Sequence, residues 1–206
     1  MADLYSWAAI GARTAESQTH RQMSSGLSMP VGFKNGTGGS IQLAVDGVVA
    51  AQAVQGFLGV DGEGRASVVV TRGNPNCHIV LRGGSRGTNF DSESVADAIE
   101  RLEKSRVCPR LVVDCSHANC GKDYTKQRIA FHDVLEQRVS GNTNLVGMML
   151  ESHLNEGNQP LDEKNPGNLR YGVSITDPCV GWDETVELLT AAHRALDTAG
   201  KAAAPA

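Results

Sequence analysis

Five short, nearly continuous apolar runs constrain this chain's fold more than any other feature. They are AAIGA (8–12), MPVGFK (29–34), CHIVLR (77–82), RLVVDCSH (110–117) and NLVGMMLE (144–151). A strand with one wet face alternates polar and apolar residues. Unbroken apolar runs of this length suit strands covered on both faces, as in parallel sheets. Segments of helical period separate them: 14–25, 40–54 with Ser40 as its cap, 92–105 opened by a serine cap and acidic residues, and 123–139. A fifth, 183–199, follows the last run. FLGVDGEGRASVVVT (57–71) departs from the pattern and reads as two strands around a glycine-rich turn, an inserted β-hairpin. The order predicts an α/β fold with a parallel sheet and right-handed crossovers. Five strands fit an open doubly wound sheet. They fit equally well as five-eighths of a (β/α)8 barrel, which takes about 250 residues when complete.

Composition narrows the function more than the fold. The chain has 206 residues, 40% of them hydrophobic, enough for one domain with a real core. A net charge of −4 provides no overall field for nucleic acid. The cysteines (77, 108, 115, 120 and 179) are odd in number and contain no CxxC pair, which points to a reducing compartment. No apolar stretch reaches the roughly 20 residues of a membrane span. The first residues lack a basic region followed by an apolar core. Cytoplasm is the expected location, and residues 200–206 are expected to be a disordered tail.

Function in either fold sits at the carboxyl ends of parallel strands. The ends here carry Arg13, Lys34, Arg82, His117 and Glu151, and a polar loop supplies Asp177. Three cations converging on one point call for an anion, a phosphate or a carboxylate. Nearby glycines would let backbone approach that anion. His117, Glu151 and Asp177 offer one imidazole and two carboxylates, a set suited to a divalent Mn, Fe, Co or Zn ion with open positions. Cys115 is a rival ligand by its place on the run, though it reads better as a small buried hydrophobe. His153, two beyond Glu151, is a candidate support for the site, and His20 on the first helix could lie near it. The residues alone reach a metal-assisted reaction on a small anionic, phosphorylated substrate.

Those stretches, WAAIGARTAESQTHRQMSSGLSMPVGFKNGT (7–37), CHIVLRGG (77–84), VVDCSHANCGK (112–122), GMMLESHLNEGNQ (147–159) and YGVSITDPCVGWDET (171–185), carry a likeness. The chain resembles the class I 3-deoxy-D-arabino-heptulosonate 7-phosphate (DAHP) synthases, the transferases that open the shikimate pathway to aromatic amino acids. The resemblance implies a (β/α)8 barrel. It implies condensation of phosphoenolpyruvate with D-erythrose 4-phosphate, giving DAHP and phosphate. It assigns Ala12, Arg13, Lys34 and Arg82 to phosphoenolpyruvate, with Lys34 and His117 catalytic, and His117, Glu151 and Asp177 to the metal.

The family's Gly-Pro-Cys-Ser motif, source of a fourth metal ligand, and its Lys-Pro-Arg-Thr segment do not occur here. Residues 1–199 are therefore expected to form strands four to eight of the barrel, the first three being absent. The chain would then be a fragment of a homo-oligomeric enzyme and inactive alone. The alternative is a non-catalytic half-barrel that binds an aromatic amino acid or a partner synthase. Family members are inhibited by tyrosine or phenylalanine beside the barrel, where Leu27, Ser28, Phe57, Gly59 and Val69 fall. Gly59 stands where tyrosine-sensitive members tend to have glycine, so tyrosine is the expected inhibitor.

Overall fold

A computed structural model describes residues 4–203. Its elements are β1 (Ala8–Ile10), α1 (Gln18–Ser25), β2 (Val31–Lys34), α2 (Gln42–Gln52), β3 (Gly56–Val60), β4 (Ala66–Val70), β5 (His78–Leu81), α3 (Ser92–Lys104), β6 (Leu111–Asp114), α4 (Gln127–Val139), β7 (Leu145–Met149) and α5 (Trp182–Ala203). Each apolar run forms a strand. β3 and β4 form a separate antiparallel hairpin.

The main sheet is parallel and runs β1-β2-β5-β6-β7. This order never reverses, whereas a doubly wound sheet must reverse at its switch point. Right-handed crossovers in one direction carry the connecting helices to one face. The core agrees: Val31, Phe33, Ile79, Leu81, Leu111 and Val113 pack with Val45 and Val48 of α2, Val95 and Leu102 of α3, and Val134 of α4. The alternate strand residues face the other way: Gly32 and Lys34, His78 and Val80, Val112 and Asp114. His78 is buried there and accepts the Trp7 indole N–H at 3.0 Å.

Several boundaries differ from the sequence expectation. Residues 14–17 form tight turns instead of helix, closed by Thr14 N–H to Gly11 O (3.0 Å) and Ser17 N–H to Thr14 O (2.9 Å). α2 starts without a side-chain cap, and Ser40 uses its carbonyl to accept from the Gly36 N–H instead. α3 is capped by Asp91, not serine: its carboxylate accepts the Ser94 N–H at 2.9 Å. α5 continues to Ala203, past the point where the tail was expected to begin, and the rest of that tail lies outside the described residues. No helix among the described residues is long and apolar enough to cross a membrane.

The loops after β2 and β5 lie backbone on backbone. A Cβ at Gly84 would overlap the Gly39 backbone, which has no flexible side chain to yield. Gly84→Ala is expected to destabilise the protein by about 1–3 kcal/mol through overpacking. Urea unfolding measures this; an unchanged midpoint would show that the two loops part freely.

Candidate active site

Lys34 ends β2 and Asp114 ends β6, both on the face turned from the helices. β5 lies between them, with Val80 in register with both Lys34 and Val112. Two strand spacings amount to roughly 9–10 Å, a span a lysine side chain bridges. Its Nζ meets Asp114 Oδ2 at 2.6 Å, across the small Val80. Asp114 is 1% exposed. Burial would raise its pKa, but the hydrogen bond from His117, the Lys34 charge and the Ser116 hydroxyl together hold it well below the usual carboxylate range. Lys34 thus has one carboxylate partner within the fold itself.

β6 stops at Asp114, and a 3-10 turn (His117–Cys120) follows. His117 has φ 56, in the left-handed region that residues with a side chain enter uncommonly, histidine more readily than most. That backbone turns the ring across the strand end. Its Nδ1 lies 3.0 Å from Asp114 Oδ2 and 2.8 Å from Ser116 Oγ. Its Nε2 lies 3.4 Å from Glu151 Oε1 and 3.8 Å from Asp177 Oδ2. One ligand atom from each of His117, Glu151 and Asp177 falls within 4.8 Å of the others. Burial pushes the Glu151 carboxyl up; His117 partly opposes this, while Asp177 and Asp114 add to it. Converging carboxylates with one imidazole between them fit a divalent cation, which would relieve that repulsion.

Glu151 lies two residues beyond β7, in a loop, and Gln127 holds it there. The fully buried Gln127 side chain accepts the Glu151 N–H (2.9 Å) and donates to the Glu151 carbonyl (3.1 Å). The Val180 N–H donates to the same carbonyl at 2.9 Å. Bridges pairing Ser152 with Val180 and Gly157 with Cys179 bring Asp177 back over the site. Sequence reading missed Gln127, although a polar residue on the same stripe as Ala130, Phe131 and Val134 is its signal.

Three buried asparagines, also missed, join the loops around Arg82. Asn35 Oδ1 accepts the Arg82 N–H (2.8 Å) and the Asn89 amide (3.1 Å). Asn89 Oδ1 accepts the Gly83 N–H, and its own N–H donates to Asn119 Oδ1 at 2.8 Å. Asn119 donates to the Asp114 carbonyl at 2.9 Å. The Arg82 backbone is thereby fixed, while its half-exposed guanidinium makes no ion pair among the described residues. Arg13 is exposed in the turn after β1, with Ala12 half-buried beside it; among the described residues no ion pair joins Arg13 to Asp114, whose partners are Lys34 and His117.

The remaining candidates separate clearly. Cys115 points away from the ligands, packs with Phe131 and Leu188, and has its thiol pushed up to about 12 by burial. It is a core residue and no rival ligand. Cys120 does line the small cavity with His117, Glu151 and Asp177, but its thiol donates to the His117 carbonyl at 3.4 Å. His153 is exposed and accepts its neighbour Leu154's N–H, so it does not support the site. His20 bonds to Ser17 Oγ at 2.8 Å, within its own helix start.

A second cavity of ≈ 400 Å³ lies between α1 and the hairpin, and Leu27, Ser28 and Val69 line it. Phe57 and Gly59 share the hairpin's half-buried face with Val69. Ser25 and Thr71, both buried, fasten hairpin to helix by a hydroxyl–hydroxyl bond of 2.5 Å.

Comparison with known proteins follows the same lines. The family described as DAHP synthetase I matches residues 1–190. The Tyr-sensitive phospho-2-dehydro-3-deoxyheptonate aldolase of Escherichia coli is 45% identical over 197 residues, 96% of this chain and 55% of its own. The Phe-sensitive enzyme of that organism is 49% identical over 189 residues, 92% of this chain and 53% of its own. The structure of phospho-2-dehydro-3-deoxyheptonate aldolase from Francisella tularensis superposes with a TM-score of 0.89 at 43% identity, covering 96% of this chain and 57% of that one. The chain spans about half the length of these relatives.

Proposed function

The chain belongs to the DAHP synthetase I family, and from that premise we propose that the full-length protein condenses phosphoenolpyruvate with erythrose 4-phosphate. Carbon 3 of phosphoenolpyruvate bonds to the aldehyde carbon, water adds at carbon 2, and phosphate leaves. The observation that carries this reading is the single Asp114 carboxylate, which touches both Lys34 and His117 and so joins the cationic set to the ligand set. Lys34, Arg82 and Arg13, with the Ala12 backbone, bind the phosphate and carboxylate of phosphoenolpyruvate. His117, Glu151 and Asp177 hold a divalent Mn, Fe, Co or Zn ion. Such an ion supplies Lewis-acid polarisation of the aldehyde or orientation of the water. Lys34, held against Asp114, presents its ammonium at a fixed point, and the asparagine network does the same for the Arg82 backbone.

The five strands are, in this proposal, consecutive strands of a (β/α)8 barrel. The unreversed strand order and the superposition on the Francisella chain support it. The protein works in the cytoplasm as a homo-oligomer. The test is phosphate release from phosphoenolpyruvate by the full-length protein. Release is expected with erythrose 4-phosphate, not with arabinose 5-phosphate, and is expected to stop on chelation. Equal turnover with arabinose 5-phosphate would assign a different aldose. No turnover of either with Mn(II) present would favour a binding role.

The cavity beside the hairpin is the proposed inhibitor site, with tyrosine as its ligand. The relatives' names include both sensitivities, so the assignment rests on Gly59. A Cβ there would stand 2.7 Å from Val69 Cγ2, so that side chain, which lines the cavity, would have to shift. Gly59→Ser is expected to weaken tyrosine inhibition about tenfold, equivalent to ~1.4 kcal/mol, with uninhibited turnover unchanged. Inhibition titrations with both amino acids check this, and an unaltered tyrosine response would remove Gly59 from the site.

A further inference from the structure

We propose that Asp114 is a positioning residue that sets the His117 tautomer and holds Lys34 with the same oxygen. The inference rests on the metal reading above. All four donors around this carboxylate are accounted for. Oδ1 accepts the Ser116 N–H at 3.0 Å and the Ser116 hydroxyl; Oδ2 accepts from Lys34 and from His117 Nδ1. With its hydrogen directed at Asp114, Ser116 Oγ turns a lone pair toward Nδ1, 2.8 Å away. Nδ1 faces acceptors at 2.8 and 3.0 Å, whereas Nε2 faces its two carboxylates at 3.4 and 3.8 Å, so the neutral ring keeps its proton on the closer side, at Nδ1. A proton on Nε2 would set three lone pairs against one another in a buried site. The Nε2 lone pair is left aimed between Glu151 and Asp177.

The shared oxygen has a second consequence. Lys34 and His117 both lean on Oδ2, so a change at Asp114 displaces the anion-binding ammonium and the ligand imidazole together. Outer partners of metal-bound histidines carry roughly 10- to 100-fold in metal affinity. No sequence motif announces this role, because Asp114 lies inside the run 110–117.

The experiment uses full-length protein with isotope-labelled histidine, stripped by chelator and held at alkaline pH, where an imidazole is neutral and has one ring proton to locate. Nitrogen NMR is expected to find the His117 proton on Nδ1 in the wild type. Asp114→Asn should transfer a large share of it to Nε2, weaken Mn(II) binding by about 10- to 100-fold, and raise KM for phosphoenolpyruvate while the protein still melts cooperatively. A wild-type proton on Nε2 overturns the proposal even if the variant does not fold. So does an Asp114→Asn variant with unchanged tautomer and Mn(II) affinity. Glu151→Ala separates the two levels. If it binds Mn(II) like the wild type, the metal reading fails and the inference with it. If it loses Mn(II) while Asp114→Asn keeps it, only the inference fails.

Discussion

A His117→Ala variant of the full-length protein is expected to lose divalent-metal affinity by more than about 100-fold, because even outer partners of a ligand carry 10- to 100-fold. Its turnover should fall with it and not return at any accessible metal concentration. The geometry behind this is the position of Nε2, 3.4 Å and 3.8 Å from the two carboxylates, with Nδ1 already committed to Asp114 and Ser116. No other nitrogen ligand among the described residues stands at that point: His153 bonds to its neighbour's N–H and His20 to Ser17. A companion variant separates chemistry from folding. His117 is left-handed, which costs an ordinary side chain about 1–2 kcal/mol relative to glycine. His117→Gly should therefore be the more stable of the two variants by about 1 kcal/mol while losing metal equally. Isothermal titration with Mn(II) and paired urea melts read both effects. Retained metal affinity in either variant would remove His117 from the ligand set.

What the sequence reveals about this site follows from what strand periodicity can carry. Lys34, Arg82, His117 and Glu151 are legible because they end or follow apolar runs, and strand ends in parallel sheets converge. Asp177 was legible only as a carboxylate in a polar loop, since that loop returns over β7 through bridges such as Gly157–Cys179, which have no periodic signature. Asp114 was overlooked for the opposite reason. It lies inside the run, and its partner Lys34 is two strands away, a pairing that depends on sheet order. Gln127 and the three asparagines are buried polar residues whose partners are backbone groups of other loops, and no spacing rule links them. The helix starts failed locally. Ser40 has the right chemistry for a cap, but its carbonyl is used by Gly36, and Asp91 outranks the serines that follow it. Choosing between doubly wound and singly wound sheets required strand order, which apolar runs do not encode.

Glu151 shows how the site opposes stability. Its carboxyl is raised, first by burial and then by Asp177 and Asp114. A raised folded pKa means that the fold prefers the protonated acid, so stability declines as pH rises from the unfolded value through the folded one. The same crowding that disfavours the ionised acid suits a divalent cation.

Replacing Lys34 is expected to produce the largest loss of stability. Lys34→Met leaves the Asp114 carboxylate, 1% exposed, without its ammonium. Removing one partner of a buried pair costs about 3–5 kcal/mol, and the lower end applies because Lys34 keeps 14% of its side chain exposed. The pH dependence identifies the cause. Asp114's folded pKa lies below its unfolded value of about 3.9, so its contribution is complete above that pH and is lost as pH falls toward the folded value. Without Lys34 the depression shrinks, and the acid limb of stability against pH should flatten. Asp114→Asn in the same background should restore part of the loss, since an uncharged amide no longer needs an ammonium; the two changes in one network are then less than additive. Urea unfolding of the wild type, both single variants and the double variant from neutral to acid pH measures each arm. A Lys34→Met variant within ~0.5 kcal/mol of the wild type, the range of an ordinary surface change, would mean that water reaches Asp114 and that the pair does not organise the sheet face on which the proposed chemistry depends.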